Sequence, residues 1–376
     1  MAVRAIATTR STSDLYIPSL DGMRGIAFLV VFVAHSMPHR VLPGGFGVAI
    51  FFFLSGYLIT TLLRAEAART SSISLKDFYL RRVLRIFPPC YLTILIVAAL
   101  ALFGVVYNTE SYKSLASGLL YCSNYWNILG WGNLPAGLGI LWSLAVEEHY
   151  YIVYPLLYAL FVRRSIRRRH QAAVLVVLCG LALAWRCYRA MFLHSSWESI
   201  YEGTDTRFDA ILFGCVLAIV ANTRLGDRVG WFENHAKALS ACGLALIVAT
   251  FTYRNQMFRD TVRYTLQQIA LMPIFFLITL PQRRLLTRCL EWRWLRHLGH
   301  LSYSMYLIHH TLFHHFYHYH KPSVQLACGI FVLSLMYAEG MRTLVELPIQ
   351  KWRGRNKSRG VIGMRHACDS PLRVTG

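Results

Sequence analysis

Charge is scarce in this sequence. Only 15% of its 376 residues are Asp, Glu, Lys or Arg, where soluble domains carry roughly 25%. Acidic groups are the rarer sign, 18 against 39 Lys and Arg. The nine cysteines form no CxxC pair and no zinc-type spacing, which argues against a zinc module or a dithiol redox motif. Cys90, Cys179, Cys215 and Cys328 lie within apolar runs and read as small packing residues. No apolar stretch precedes Leu20, so no cleavable leader is expected and the first apolar helix directs insertion. Internal repeats are absent, and no stretch is long enough for a soluble domain.

What fills the space left by charge is apolar, with 55% hydrophobic residues. Runs at 20–38, 45–63, 84–104, 140–162, 172–193, 208–221, 239–253, 264–280, 298–316 and 324–349 approach or reach the ~17–25 residues that span a bilayer. An eleventh, weaker run at 114–130 contains Asn124 and Asn127. The expected fold is all-α, a polytopic transmembrane bundle of about ten spans. It divides into an N-terminal segment 1–19, a membrane domain 20–350 and a basic tail 351–376.

The net charge of +21 would suggest nucleic acid in a soluble protein. Here the Lys and Arg residues sit in short loops, the pattern of membrane topology, and no nucleic-acid partner is expected. Arg64, Arg69, Lys76, Arg81, Arg82 and Arg85 mark one cytoplasmic loop, and Arg163, Arg164, Arg167, Arg168 and Arg169 the next. The chain crosses an even number of times between them. Runs 84–104 and 140–162 supply those crossings, which leaves 114–130 external, interfacial or re-entrant. The loop after 193 holds Glu198, Glu202 and Asp205 without Lys or Arg and faces out, while Arg283, Arg284, Arg288, Arg293 and Arg296 face in. Inside segments hold about 29 Lys and Arg and outside ones about 6, although the predicted outer loop 254–263 is itself positive. Both termini are expected in the cytoplasm.

Ionisable groups inside spans are costly and need a partner, a wet cavity or a function. Arg24 opens the first span, and His35 follows eleven residues, or about 16 Å, deeper on roughly the same face. A buried imidazole can remove a proton from a hydroxyl; the alternative is a histidine hydrogen-bonded to a neighbouring helix. Arg82 and Arg85 face one way and suit phosphate oxygens, or form a plain positive-inside cluster. Glu147, Glu148 and His149 follow one another near the outer end of their span. One carboxylate can line a cavity while the other pairs with an arginine. Asp205, Arg207 and Asp209 form either a self-neutralising network or a wall of an acceptor site. Ser302, Tyr306 and His309 share one helix face by their spacing. His310, His314 and His318 have i, i+4 spacing but no carboxylate or cysteine beside them, so no metal site is assigned. Glu346 is expected to pair with a nearby arginine. The depth pattern suggests an anion-binding mouth of Arg24, Arg82 and Arg85 inside, and a chemical centre of His35, Glu147 and His309 higher up.

The strings Ser19–Ala27, with ten residues between its Arg24 and His35, Gly47–Ile59, Phe78–Pro88, Leu141–Tyr151, Arg207–Ala210 and Ser302–His309 occur in one order. With them, the chain resembles the acyltransferase 3 family of bacterial membrane acyltransferases over nearly its whole length. The resemblance implies acyl transfer, often acetyl, from cytoplasmic acyl-CoA to a hydroxyl of a carbohydrate or other acceptor, in a bacterial inner membrane. Acyl-CoA is then a co-substrate, and no permanently bound cofactor is implied. By the same likeness His35 is the essential histidine, Arg24 its motif partner, Arg82 and Arg85 handle the CoA end, and Glu147 is the motif glutamate. His149 stands where Gln is common and Ile308 where Trp is frequent. Some relatives carry an added hydrolase-like domain. This chain has no room for one, so a second transfer step implies another polysaccharide-biosynthesis protein. Two rival classes are a transporter using the same charges as a relay, and a scaffold for a polysaccharide synthase.

Overall fold

The computed structural model describes residues 16–37, 44–227, 229–280 and 285–353. Residues 1–15 of the N-terminal segment, Arg283, Arg284 and the tail from 354 lie outside the described residues. Among those described there are helices and no strands. Ten helices are long: α1 (Pro18–Ser36), α2 (Gly44–Thr70), α3 (Leu75–Leu102), α6 (Trp142–Arg163), α7 (Arg168–Met191), α9 (Thr204–Val220), α10 (Gly230–Thr252), α12 (Val262–Thr279), α14 (Arg293–Tyr319) and α15 (Val324–Met341). The short ones are α4 (Leu115–Leu119), α5 (Ser123–Ile128), α8 (Trp197–Glu202), α11 (Gln256–Asp260) and α13 (Leu285–Leu290). Eight of the long helices are apolar and long enough to cross a membrane, which makes this a multi-pass membrane protein. The two that fall short are α6 and α14. They carry Glu147, Glu148 and His149 on α6 and seven histidines on α14, and these polar side chains lower their apolar signal.

Local sequence explains several boundaries. Pro18 opens α1 at a position where its missing N–H costs nothing. Ser74 caps α3 by accepting from the Asp77 N–H, and its hydroxyl donates to the Asp77 carboxylate. Helix α3 therefore begins nine residues before the apolar run does and carries Arg81, Arg82 and Arg85 on a continuous helix. The 114–130 segment forms no spanning helix; it breaks between α4 and α5, where Tyr121 takes a φ of 54°. Asn124 and Asn127 donate to Glu202 and pin this segment to the α8–α9 corner.

The centre is α1, α2, α9 and α14. Helices α1 and α14 run parallel and so close that a Cβ on Gly299 would lie 1.8 Å from the Asp21 carbonyl oxygen. Helices α2 and α9 also run parallel, and a Cβ on Gly56 would lie 1.9 Å from the Ile211 oxygen. Small residues permit this backbone contact inside a membrane, where no hydrophobic drive separates helix from lipid. Around this centre, α3, α7, α10 and α15 are the more exposed helices. Helix α15 passes into a π-helical turn, Arg342–Glu346, that borders the site.

Candidate functional site

A cavity of about 640 Å³ enters the bundle between α1, α2, α3, α6, α14 and the segment following α15. Its mouth carries the exposed residues Arg81, Arg85, Gln350 and Arg353, at the end bearing the basic loops. Its deep end is formed by the buried side chains of Ser143 and Tyr306. Six arginines line it, Arg24, Arg81, Arg82, Arg85, Arg342 and Arg353, against three glutamates, Glu147, Glu148 and Glu346. The excess of positive charge inside a low-dielectric wall suits a polyanionic ligand.

The arginines are differently engaged. Arg24 pairs with Asp21 at 3.1 Å. The Arg82 guanidinium lies 5.7 Å from the Phe78 ring centre and 5.4 Å from that of Tyr151. Among the described residues neither Arg82 nor Arg85 forms an ion pair. The expected carboxylate–arginine pair on α6 is therefore not formed. Both carboxylates line the cavity instead. Glu147 accepts from Ser55 Oγ at 3.2 Å and Tyr151 Oη at 3.0 Å. Its two carboxylate oxygens are thus each engaged by a hydroxyl of α2 or α6. Glu346 accepts from Ser304 Oγ at 2.8 Å, in place of the expected arginine, and Arg342 pairs with Glu339.

Ser302 and Tyr306 line the cavity while His309 lies beyond it, as one helix face requires. His35 also lies outside the cavity lining, so of the expected chemical centre only Glu147 lines the cavity with the arginine mouth. The two chemical levels meet at Tyr306. Its hydroxyl bonds Ser143 Oγ at 2.8 Å, and its ring centre lies 5.4 Å from that of His309. Behind it, His35 Nδ1 and His309 Nε2 are 3.1 Å apart. The His310 ring centre is 4.9 Å from that of His35, and His310 Nδ1 donates to the Gly137 carbonyl at 2.7 Å. Further out, His315 accepts from the Tyr107 N–H and His318 stacks on the Tyr107 ring.

The outer cluster is not self-neutralising. Asp205 accepts from Arg189 at 2.9 Å and Trp185 Nε1 at 2.6 Å, whereas Asp209 is wholly buried against Arg186 at 2.6 Å and Thr265 at 2.8 Å. Arg207 is equally buried, with its guanidinium 4.0 Å from the Tyr264 ring centre. Its side-chain nitrogens bond no described residue. None of these three residues lines the cavity.

Sequence reasoning missed Ser55, Tyr151, His300, Arg342 and Arg353 as cavity residues. Ser55 and Tyr151, each inside a matched string, were marked by position. Arg186 was also missed, although an arginine within an apolar run is itself a signal.

The comparisons with known proteins agree with this architecture. The family described as Acyltransferase domain matches residues 17–338. The chain is 32% identical over 317 residues to the putative peptidoglycan O-acetyltransferase YrhL of Bacillus subtilis, covering 79% of this chain and 48% of that protein. It is 30% identical over 368 residues to the peptidoglycan O-acetyltransferase OatA of Listeria monocytogenes, covering 92% and 57%. The O-acetyltransferase OatA of Staphylococcus aureus is 28% identical over 354 residues, covering 90% and 58%. The chain thus spans about half the length of these curated relatives. No solved structure matches it. With a family match running from the start of α1 into α15, the chain belongs to the acyltransferase family defined by this domain.

Proposed function

We propose that this membrane protein moves an acyl group from acyl-CoA, bound at the arginine-lined mouth, to a hydroxyl of a carbohydrate acceptor presented at the histidine end. The relatives' names favour acetyl as the group and peptidoglycan as the first acceptor to test. The inner membrane of a bacterium, with the arginine mouth toward the cytoplasm, is the setting that delivers both substrates.

The chemistry follows from the two levels. Arg82 and Arg85, free of carboxylate partners, hold phosphate oxygens of the donor through charge-assisted hydrogen bonds. The thioester reaches the deep end at Ser143 and Tyr306, and the Tyr306 side chain swings aside to admit it. His35 takes the proton of the acceptor hydroxyl as that oxygen attacks the thioester carbonyl. The carbon–sulfur bond breaks, the ester forms, and the proton passes to the departing thiolate to give free CoA. The observation that carries this reading is the arginine-lined cavity whose deep-end residue Tyr306 packs on His309, the buried partner of the half-buried His35.

The experiment is turnover of acetyl-CoA by purified protein with a soluble peptidoglycan fragment, comparing the natural chain with His35→Ala. The expected result is release of CoA with ester formation, reduced at least about 100-fold in the variant. Full activity in His35→Ala, or substrate movement without CoA release, refutes it; the latter is the behaviour of a transporter.

A further inference from the structure

We infer that the buried guanidinium of Arg207, together with that of Arg186, forms a closed binding site for one small monovalent anion of chloride's size. The site lies at the end of the bundle opposite the basic loops, and it depends on neither the donor cavity nor the histidines.

Three arginines surround one ring. The guanidinium carbons of Arg207, Arg263 and Arg186 lie 4.0, 5.1 and 5.5 Å from the centre of the Tyr264 ring. Arg186, Arg207 and Asp209 are wholly buried, and Arg263 is half-buried. Asp209 accepts from Arg186 Nη2 at 2.6 Å and from Thr265 Oγ1 at 2.8 Å, so its charge is spent on Arg186. Asp205 is held by Arg189 and Trp185, and Glu202 accepts from Asn127 at 3.0 Å. Among the described residues no carboxylate pairs with Arg207. The wholly buried groups are thus two cations against one carboxylate, an excess of one positive charge.

Aromatic faces do not remove that excess. Tyr264, and Tyr201 with its ring centre 5.2 Å away, attract the Arg207 cation over their faces. The five N–H groups of a guanidinium point outward in its own plane. Nε, Nη1 and Nη2 of Arg207 bond no described residue, and neither do Nε and Nη1 of Arg186. An arginine keeps its proton when buried, so it does not shed the charge as a lysine can. A water molecule satisfies N–H groups but leaves the charge. A monovalent anion does both. Arg207 also stands in the first turn of α9, where the helix dipole repels a cation and favours an anion.

Burial sets the size of the ligand. Neither Arg186 nor Arg207 borders the donor cavity, and both are closed off from solvent. A carboxylate on a glycan or a phosphate on a lipid cannot enter with its carrier attached, whereas a bare halide has no carrier. Bound there, the ion ties α7 to α9 through the two arginines, beside the Arg186–Asp209 pair.

The test uses the purified chain in lipid nanodiscs, exchanged into chloride or gluconate at equal ionic strength. Chloride is expected to raise the melting temperature about 5 °C, levelling off with concentration. Arg207→Met keeps a long apolar stem and removes the surplus charge. It is expected to melt no lower than the natural chain in gluconate and to ignore chloride. Arg189→Gln, which breaks the Asp205 pair outside the site, is expected to keep the chloride response. Equal melting of the natural chain in both salts overturns the inference, as does a chloride response that survives in Arg207→Met. Bromide gives a reading that needs no variant to fold. In crystals of the natural chain grown in bromide, anomalous density is expected within about 3.5 Å of Arg207 Nη1 or Nη2. Bromide found only at the protein surface, an adventitious ion only, overturns the inference.

Discussion

The donor site yields the sharpest quantitative expectation at Arg85. It sits at the cavity mouth, exposed, with no ion-pair partner among the described residues. Removing it leaves no buried charge behind, so Arg85→Gln reports the ligand contact with little else. A hydrogen bond between ions contributes about 1.5–3 kcal/mol, a factor of about 10–150 in affinity. Exposure at the mouth argues for the lower end, about 10-fold. Five other arginines remain in the wall, so binding is weakened and not abolished. The assay is calorimetric titration of the purified protein with desulfo-CoA, which binds without reacting, at about 0.1 M and 1 M salt. The gap between natural chain and variant is expected to shrink at high salt, because the screening length falls from about 10 to 3 Å. In turnover the loss appears in KM with kcat unchanged, since the phosphates take no part in the chemical step. Equal affinity of variant and natural chain at low salt would refute the assignment of the mouth to the donor's phosphates.

Two further expectations concern the closed end and the side bearing the basic loops. Tyr306→Phe removes the hydroxyl that bonds Ser143, about 1 kcal/mol of closure, so acetyl-CoA hydrolysis without acceptor should rise about 5-fold; unchanged hydrolysis sinks the idea that Tyr306 partitions the site. Asp227 accepts from Arg64 at 2.8 Å and from Arg168. Burial pushes its carboxyl up, but the Arg64 hydrogen bond and charge, with help from Asn222 N–H and Arg168, hold it below the ordinary 3.8. Its stabilising contribution is therefore complete above about pH 4 and is lost as pH falls through the lower folded value. Asp227→Asn, which strands the buried Arg64, should cost about 3 kcal/mol and lower the melting temperature in detergent by about 5 °C; an unchanged melting temperature at pH 7 would count against the clamp.

Much of the fold was legible because bilayer-spanning runs and loop charge are properties of sequence alone. The alternation of basic and acidic loops correctly denied 114–130 a span, although its apolar content invited one. Helix face arithmetic brought Ser302, Tyr306 and His309 onto one side of α14, as the structure shows. What the sequence hid is where a face points once helices pack. Arg24 and His35 share a face of α1, yet Arg24 lines the cavity and His35 does not, its ring meeting those of His309 and His310 from α14. Glu147 was placed near His35 by depth, but depth does not fix azimuth, and Ser55 and Tyr151 take its two oxygens. Likewise Asp209 found Arg186 on α7, a partner from another run, instead of its sequence neighbour Arg207.

The packing also separates two mechanical demands. His35 and His309 stand on α1 and α14, whose backbones touch, so their ring geometry tolerates no slack. The cavity-lining arginines stand mainly on α3 and on the segment after α15, which are among the less buried helices. Pro88 and Pro89 deprive α3 of two N–H groups beside the cavity, and the last helix loosens into its π turn at Arg342–Glu346. Under the proposed reaction a long, charged donor enters and leaves once per cycle, which asks for walls that yield. A proton must move between atoms about 3 Å apart, which asks for walls that do not. Glycine contact in the centre and proline and π irregularity at the rim assign each demand to the helices able to meet it.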